Sequence, residues 1–376
     1  MSRKFNVNGV CYPDEHYMVN IDSKLAEIKE LVDEKQHFVI NRARQYGKTT
    51  TLNLLVKYLA DQYTVFFISF EGLGGTAFET EVEFCKTICE LLYDAIRYDE
   101  VPQIDEAVKA IIKENIEQNK IEDMMSLSAT LSEICKNSVA PVVLIIDEVD
   151  QASNYKVFID FLGMLRSKFL KRNTRPTFHS VILAGVYDIK NLKHRIREDR
   201  EHQMNSPWNI AVDFNIEMSF SVSDIQTMIQ EYEQEHRTGM DVKEISRILY
   251  DYTSGYPYLV SKICQLLDER VSDVQVWTRE GILSAVKVLL KEPNTLFDDM
   301  TKKLLDHPQL KEMLQNILFA GVDFPFKRET PIIDLGVTFG FLKDKNGIVA
   351  VSNRIFETQL YDMFLSETAV NNQMYM

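Results

Sequence analysis

Apolar positions along this chain follow two rhythms, and the changes between them mark out its elements. Leu25, Ile28, Leu31 and Val32 recur at helical spacing after Asp22 and Ser23, which predicts a capped helix over 22–32. His37, Phe38, Val39 and Ile40 then form a short continuous apolar run, the pattern of a buried strand. Leu52, Leu54, Leu55 and Leu59 return to helical spacing over about 48–61. The stretch 63–70 is rich in β-branched and aromatic residues and predicts the next strand. Residues 77–137 are helical in pattern, the stretch about 97–125 is highly charged, and about 97–137 is expected as a helical insertion on the sheet. Val142, Val143, Leu144, Ile145 and Ile146 run without interruption, as in a strand covered on both faces of a parallel sheet. A helix over about 154–170 carries Phe158, Phe161, Leu162, Leu165 and Phe169. Further strands are expected at 178–185 and 208–214. Strands alternating with helices imply a parallel sheet with right-handed crossovers, an α/β fold.

At Ser221 the rhythm changes. From Asp224 to about Leu290 the chain is helical, with Ile225, Met228, Ile229 and Tyr232 on one face. The run breaks at Gly255-Tyr256-Pro257, where Gly255 suits a helix end and Pro257 the first turn of the next. Beyond residue 304 come helices over 308–319 and 330–338. Asn346-Gly347 between apolar runs then predicts a hairpin. Two helices and a hairpin imply a winged helix, closed by 355–364. Its second helix holds Asp334 and no Arg or Lys between 331 and 340, so a structural wing is favoured over a DNA reader. The chain therefore divides into an α/β domain (1–220), a helical lid (221–303) and a C-terminal winged helix (304–376).

Candidate chemistry sits at the ends of two predicted strands. After the run 37–40 comes Arg42-Ala43-Arg44-Gln45-Tyr46-Gly47-Lys48-Thr49-Thr50, followed at once by a helix. Strand, tight loop and helix start is the context of a phosphate-binding P-loop. Gly47 lets backbone N–H groups approach phosphate oxygens, and the new helix turns its positive end toward them. Lys48 is expected on the β/γ-phosphates and the Thr49 hydroxyl on Mg²⁺. The pattern calls for Gly at position 42, where this chain has Arg42. The second half of the constellation is Asp147-Glu148 at the end of the strand 142–146. Asp147 is expected to hold the Mg²⁺ through water and Glu148 to polarise the attacking water. Residues 5–20 read as a lead-in that offers Tyr12 or Tyr17 to the nucleotide base. The corner Tyr256-Pro257 could press on the same base.

Composition narrows the classes. With 376 residues there is room for two or three domains with cores of their own. No apolar run is long enough to cross a bilayer, and the first residues lack the apolar core of a signal peptide. The five cysteines (Cys11, Cys85, Cys89, Cys135, Cys264) are scattered and odd in number, which suits a reducing, cytoplasmic setting. A net charge of −14 disfavours nonspecific binding of nucleic acid or anionic membrane by the whole chain. The exception is 166–200, where Arg166, Lys168, Lys171, Arg172, Arg175, Lys190, Lys193, Arg195, Arg197 and Arg200 cluster. Such a stretch is a solvated face, an arginine finger for a neighbouring γ-phosphate (Arg166, Arg195, Arg197 or Arg200), or a patch for a polyanion.

Arg44-Gln45-Tyr46-Gly47-Lys48-Thr49, Ile145-Ile146-Asp147-Glu148 and Gly255-Tyr256-Pro257 together resemble the AAA-like P-loop ATPases of the STAND and archaeal-type group, over roughly 20–365. Arg42 is similar to what stands in bacterial relatives with Arg-Pro-Arg-Arg-Phe-Gly-Lys loops. The resemblance implies an additional-strand parallel sheet followed by lid and winged helix. It implies ATP and Mg²⁺ as cofactors, with Arg44, Gln45, Tyr46, Gly47, Lys48, Thr49, Thr50 and Pro257 around the nucleotide. Thr49 and Asp147 would hold the metal, and Glu148 with Lys48 would act in catalysis. It implies an ATP hydrolase whose nucleotide state, sensed at the 255–257 corner, gates a conformational switch. An unidentified protein partner and nucleotide-dependent oligomerisation go with that role. The alternatives are a slow or inactive nucleotide-gated interaction module, and a nucleic-acid-associated protein using the winged helix in mobile-element or phage-defence biology.

Overall fold

A computed structural model describes residues 3–98, 101, 104–186, 208–269 and 276–374. The chain forms two compact units, each assembled from separate stretches. The sheet unit comprises Asp22–Asn41 and Thr51–Ile216; the helical unit comprises Met1–Ile21, Arg42–Thr50 and Glu217–Met376.

In the sheet unit the order is α1 (Asp22–Asp33), β1 (His37–Asn41), α2 (Lys48–Leu59, entered from the loop), β2 (Thr64–Ser69), α3 (Glu81–Tyr98), α4 (Glu106–Glu117) and α5 (Met124–Asn137). Then follow β3 (Val142–Asp147), α6 (Lys156–Leu170), β4 (Ser180–Gly185) and β5 (Ala211–Val212). The strands lie side by side in the order β2-β3-β4-β1-β5, and every pair is parallel. β3 and β4 are buried along their whole length, which is why their sequences show no polar alternation. One face is filled by Phe66, Phe70, Phe84, Phe158 and Phe161 with the buried stripe Cys85, Ile88, Cys89, Leu92 of α3. The rings meet largely edge to face, Phe84–Phe161 at 5.4 Å and Phe70–Phe158 at 6.0 Å. Cys85 and Cys89 are thus core residues, and all five cysteines are free thiols. The strand expected at 208–214 is only two residues long. Trp208 is fully buried in a turn, the ladder to β1 covers Ala211 and Val212, and beyond them the side chains alternate in and out: Phe214 and Ile216 are buried, Phe214 stacking on Phe38 of β1 at 5.8 Å, and Asp213 and Asn215 are exposed. An alternating pattern reports a half-buried edge, not the hydrogen bonds of a strand.

The helical unit runs α7 (Val222–His236), α8 (Val242–Thr253), α9 (Pro257–Glu269), α10 (Arg279–Lys291), α11 (Thr295–Asp306), α12 (Pro308–Ala320) and α13 (Pro331–Thr338). A hairpin of β6 (Leu342–Lys345) and β7 (Ile348–Val351) precedes α14 (Arg354–Met374). Side chains cap five of these helices: Ser221, Asp241, Thr278, Asn294 and Asn353 each accept a backbone N–H from the first turn. Asn346 (φ 57°) and Gly347 (φ 82°) make the left-handed pair that a two-residue hairpin turn needs. The N-terminal stretch is fastened to α7. Arg3 pairs with Glu231 at 2.7 Å and Glu235 at 2.6 Å, and Tyr17 donates to Glu235 at 2.5 Å. Phe5, Tyr17, Tyr232 and Trp277 form one aromatic cluster. Tyr17 is therefore a core residue of this unit and does not offer its ring to a base, whereas Tyr12 is half-exposed.

Candidate functional site

The loop 42–50 leaves β1 at its carboxyl end, and α2 begins at Lys48. Its shape depends on two left-handed residues, Gln45 (φ 58°) and Gly47 (φ 74°). At Gln45, which has a Cβ, that conformation costs roughly 1–2 kcal/mol and must be held by its surroundings. A Cβ on Gly47 would meet nothing nearer than Pro257, at 4.0 Å, so the backbone there stays open to close approach. Lys48 is 6% exposed, and its ammonium donates to the carbonyls of Arg42 (3.0 Å) and Ala43 (3.3 Å). It lies along the inside of its own loop, at the start of a helix whose first N–H groups favour an anion.

The rest of the helical unit grips this loop from several sides. The Tyr256 hydroxyl donates to the Arg44 carbonyl at 2.6 Å, and its ring meets Tyr46 edge-on at 4.7 Å. Gln45 donates to Thr295 at 2.9 Å, at the start of α11. Arg44 lies 3.9 Å from Asp299 on the same helix, and Asp299 also pairs with Lys303 at 2.6 Å. The Thr50 hydroxyl accepts the Cys11 N–H at 3.2 Å. Burial pushes the Tyr46 hydroxyl up to about 12, with Glu217 adding to it. Burial presses the Arg42 guanidinium below its ordinary value, and Glu217 opposes that. Arg42, in place of the expected Gly, is thus a half-buried cation whose charge an acid of the same unit, Glu217, favours. Among the predicted nucleotide contacts, Arg44, Gln45, Tyr46 and Thr50 have partners in this unit, while Gly47 borders Pro257.

The sheet unit carries the acidic half. Asp147 closes β3 and is 1% exposed. The backbone of Glu148 is left-handed (φ 52°), and its N–H donates to the Asp147 carboxylate at 2.8 Å. The chain then turns through a short 3₁₀ segment, Val149–Ala152. β4 lies between β3 and β1, so a strand separates the one that ends in the acids from the one that leads into the loop. Carboxyl ends of parallel strands are where open α/β sheets bind ligands. Asp150 is a residue the sequence reading passed over. It accepts the Val186 N–H at 2.5 Å, and a Cβ at Gly185 would stand 2.9 Å from its carboxylate. It ties the ends of β3 and β4 together, and its signal was a third carboxylate three residues past Asp147. Thr49 and Asp147 are hard oxygen donors, the set Mg²⁺ prefers when substrate phosphates complete its shell. Among the described residues no group of three His, Cys, Asp or Glu side chains forms a metal site by itself.

Of the basic stretch, Arg195, Arg197 and Arg200 lie outside the described residues. In α6 and just after it, Lys168 donates to Ser132 at 2.5 Å and Arg172 stacks over Phe169 at 3.9 Å. The Nε of Arg166 is buried. Among the described residues no helix is long and apolar enough to cross a membrane.

A family model described as "AAA-like domain" matches residues 14–364. The fold is similar to the Walker-type ATPase of Pyrococcus abyssi, with a TM-score of 0.62 and 11% identity over 95% of this chain and 99% of that one. The ORC2 protein of Aeropyrum pernix, solved in ADPNP–ADP complexes, aligns over 97% of this chain and 98% of its own at 10% identity and a TM-score of 0.49. Identities this low speak to the fold alone. A search of curated proteins returned no match.

Proposed function

We propose a function from one premise: the chain belongs to the AAA-like domain family. The loop 42–50 binds Mg·ATP. Lys48 neutralises the β/γ-phosphates, Thr49 and Asp147 hold the metal, and Glu148 orients the water for slow hydrolysis. Mg²⁺ supplies charge neutralisation on the phosphates; the chain supplies the grip and the carboxylate. The observation that carries this reading is the ordered pair: Gly47-Lys48-Thr49 at a strand-to-helix turn, and Asp147-Glu148 at the end of β3 with β4 interposed.

The same loop is held by Tyr256 at the corner 255–257 and by Thr295 and Asp299 of α11, all in the helical unit. Nucleotide that reshapes the loop changes those contacts, which supports a nucleotide-gated switch over a rapid hydrolase. In this reading 221–303 acts as the lid and 304–376 as a winged helix that packs against protein. A protein partner, or a second copy, receives the switch. α13 contains no Arg or Lys, so duplex DNA is not the favoured partner.

Titrating Mg·ATP into wild type and Lys48→Ala tests the core of this. Wild type is expected to bind at least tenfold more tightly; equal binding would remove the proposal. Single-turnover hydrolysis slower than ADP–ATP exchange is the mark of a switch, and brisk steady-state turnover by isolated protein contradicts it.

A further inference from the structure

The arrangement around Arg44 assigns a second role to Tyr256, which the sequence reading took only as part of a corner that presses on the base. We propose that Tyr256 is the positioning residue of the phosphate-binding loop: by holding the Arg44 carbonyl it fixes the Gln45 peptide and so sets the affinity for nucleotide phosphate. This rests on the reading of loop 42–50 as a nucleotide site.

The argument is one of peptide geometry. In a planar trans peptide the C=O and the following N–H point in opposite directions. Tethering the Arg44 oxygen to Tyr256 at 2.6 Å therefore aims the Gln45 N–H away from the corner and fixes the peptide plane on which Gln45 takes φ 58°. The tether replaces what Gly would otherwise supply at position 45. Tyr256 is itself immobilised. It is 2% exposed, its N–H donates to Thr253 at 3.0 Å, and its ring meets Tyr46 at 4.7 Å and Phe356 of α14 at 5.3 Å. Burial raises its hydroxyl well above the ordinary value, with Tyr46 adding to it, which favours the protonated form that donates to Arg44. The preceding Gly255 (φ 73°) receives the Phe220 N–H at 2.8 Å, which anchors the corner to the start of the helical run.

The test is Tyr256→Phe in the full chain, which keeps the ring and deletes the bond. Its affinity for Mg·ATP and Mg·ADP should fall about five- to tenfold, the equivalent of one hydrogen bond. Phe356→Leu, which removes a ring contact on Tyr256 and leaves the bond, should lower the unfolding temperature yet bind nucleotide within twofold of wild type. A role in packing alone predicts that affinity follows stability in both variants, and that result overturns the assignment. So does Tyr256→Phe binding within twofold of wild type, measured well below its own transition. In either case wild type still outbinds Lys48→Ala, so the nucleotide reading survives. Wild type that binds no better than Lys48→Ala overturns both.

Discussion

Gly255→Ala is the sharpest perturbation of the corner that grips the loop, and Gly239→Ala is its control. Both glycines have positive φ, 73° and 79°. Alanine in that region costs roughly 1–2 kcal/mol at either site. The sites differ in space: a Cβ at Gly239 meets nothing within 4 Å, whereas at Gly255 it falls 1.9 Å from the Phe220 carbonyl oxygen and 2.8 Å from its carbon and nitrogen. These are backbone atoms, so the turn must open by more than an ångström. Opening it breaks the Phe220 N–H to Gly255 bond, about 1 kcal/mol, and pulls buried Tyr256 from its place. With about 1 kcal/mol more for displacing Tyr256, the sum is about 3–4 kcal/mol for Gly255→Ala against about 1–2 for Gly239→Ala. At roughly 2–4 °C per kcal/mol the melting temperature should drop by about 6–16 °C in the first and about 2–8 °C in the second. Calorimetry on both variants reads this directly. Equal shifts would refute the reasoning, because the strain they share would then be the whole effect.

Glu148→Gln should keep Mg·ATP binding within a few-fold and slow single-turnover hydrolysis by about 10²–10⁴, as expected for loss of a general base; unchanged turnover would remove Glu148 from catalysis. Phe161→Ala empties the centre of the sheet unit, where the ring is fully buried, and should cost about 3–5 kcal/mol by chemical denaturation. Burial beside Phe169 and Trp208 pushes His37 down to about 4, from 6.5 when unfolded. The native state thus refuses a proton that the unfolded chain accepts. Stability from this group is complete above pH 6.5 and falls as pH drops toward 4, by up to about 3 kcal/mol. His37→Phe should flatten the stability–pH curve in that window, and an unaltered slope would assign the acid sensitivity to other groups.

The strands and the two motifs were legible because they depend on neighbours in sequence. A continuous apolar run such as Val142–Ile146 reads as a strand covered on both faces, and Gly47-Lys48-Thr49 carries its own turn and helix start. The Asn346-Gly347 turn is of the same kind. What could not be read depends on residues far apart. Tyr256 and Arg44 are separated by 212 positions, and nothing in Gly-Tyr-Pro says that its hydroxyl will meet a loop carbonyl. Tyr17 looked free to cover a base until Phe5, Tyr232 and Trp277 surrounded it. The segment 208–214 has the alternation of a strand along its length, yet the ladder to β1 covers only Ala211 and Val212, after Trp208 has anchored the chain in a turn.

The way the two units share the chain bears on how such proteins can be rearranged by recombination. No single breakpoint releases either unit whole, because residues 42–50 are borrowed from the middle of the sheet unit's own span. A cassette of 217–376 moved to a new host would arrive without the nine residues that Tyr256 and α11 clasp, and its own N-terminal brace would stay behind. Exchange among relatives is therefore constrained to keep loop, brace and lid as a co-inherited set, and a grafted lid needs a matching loop to seat.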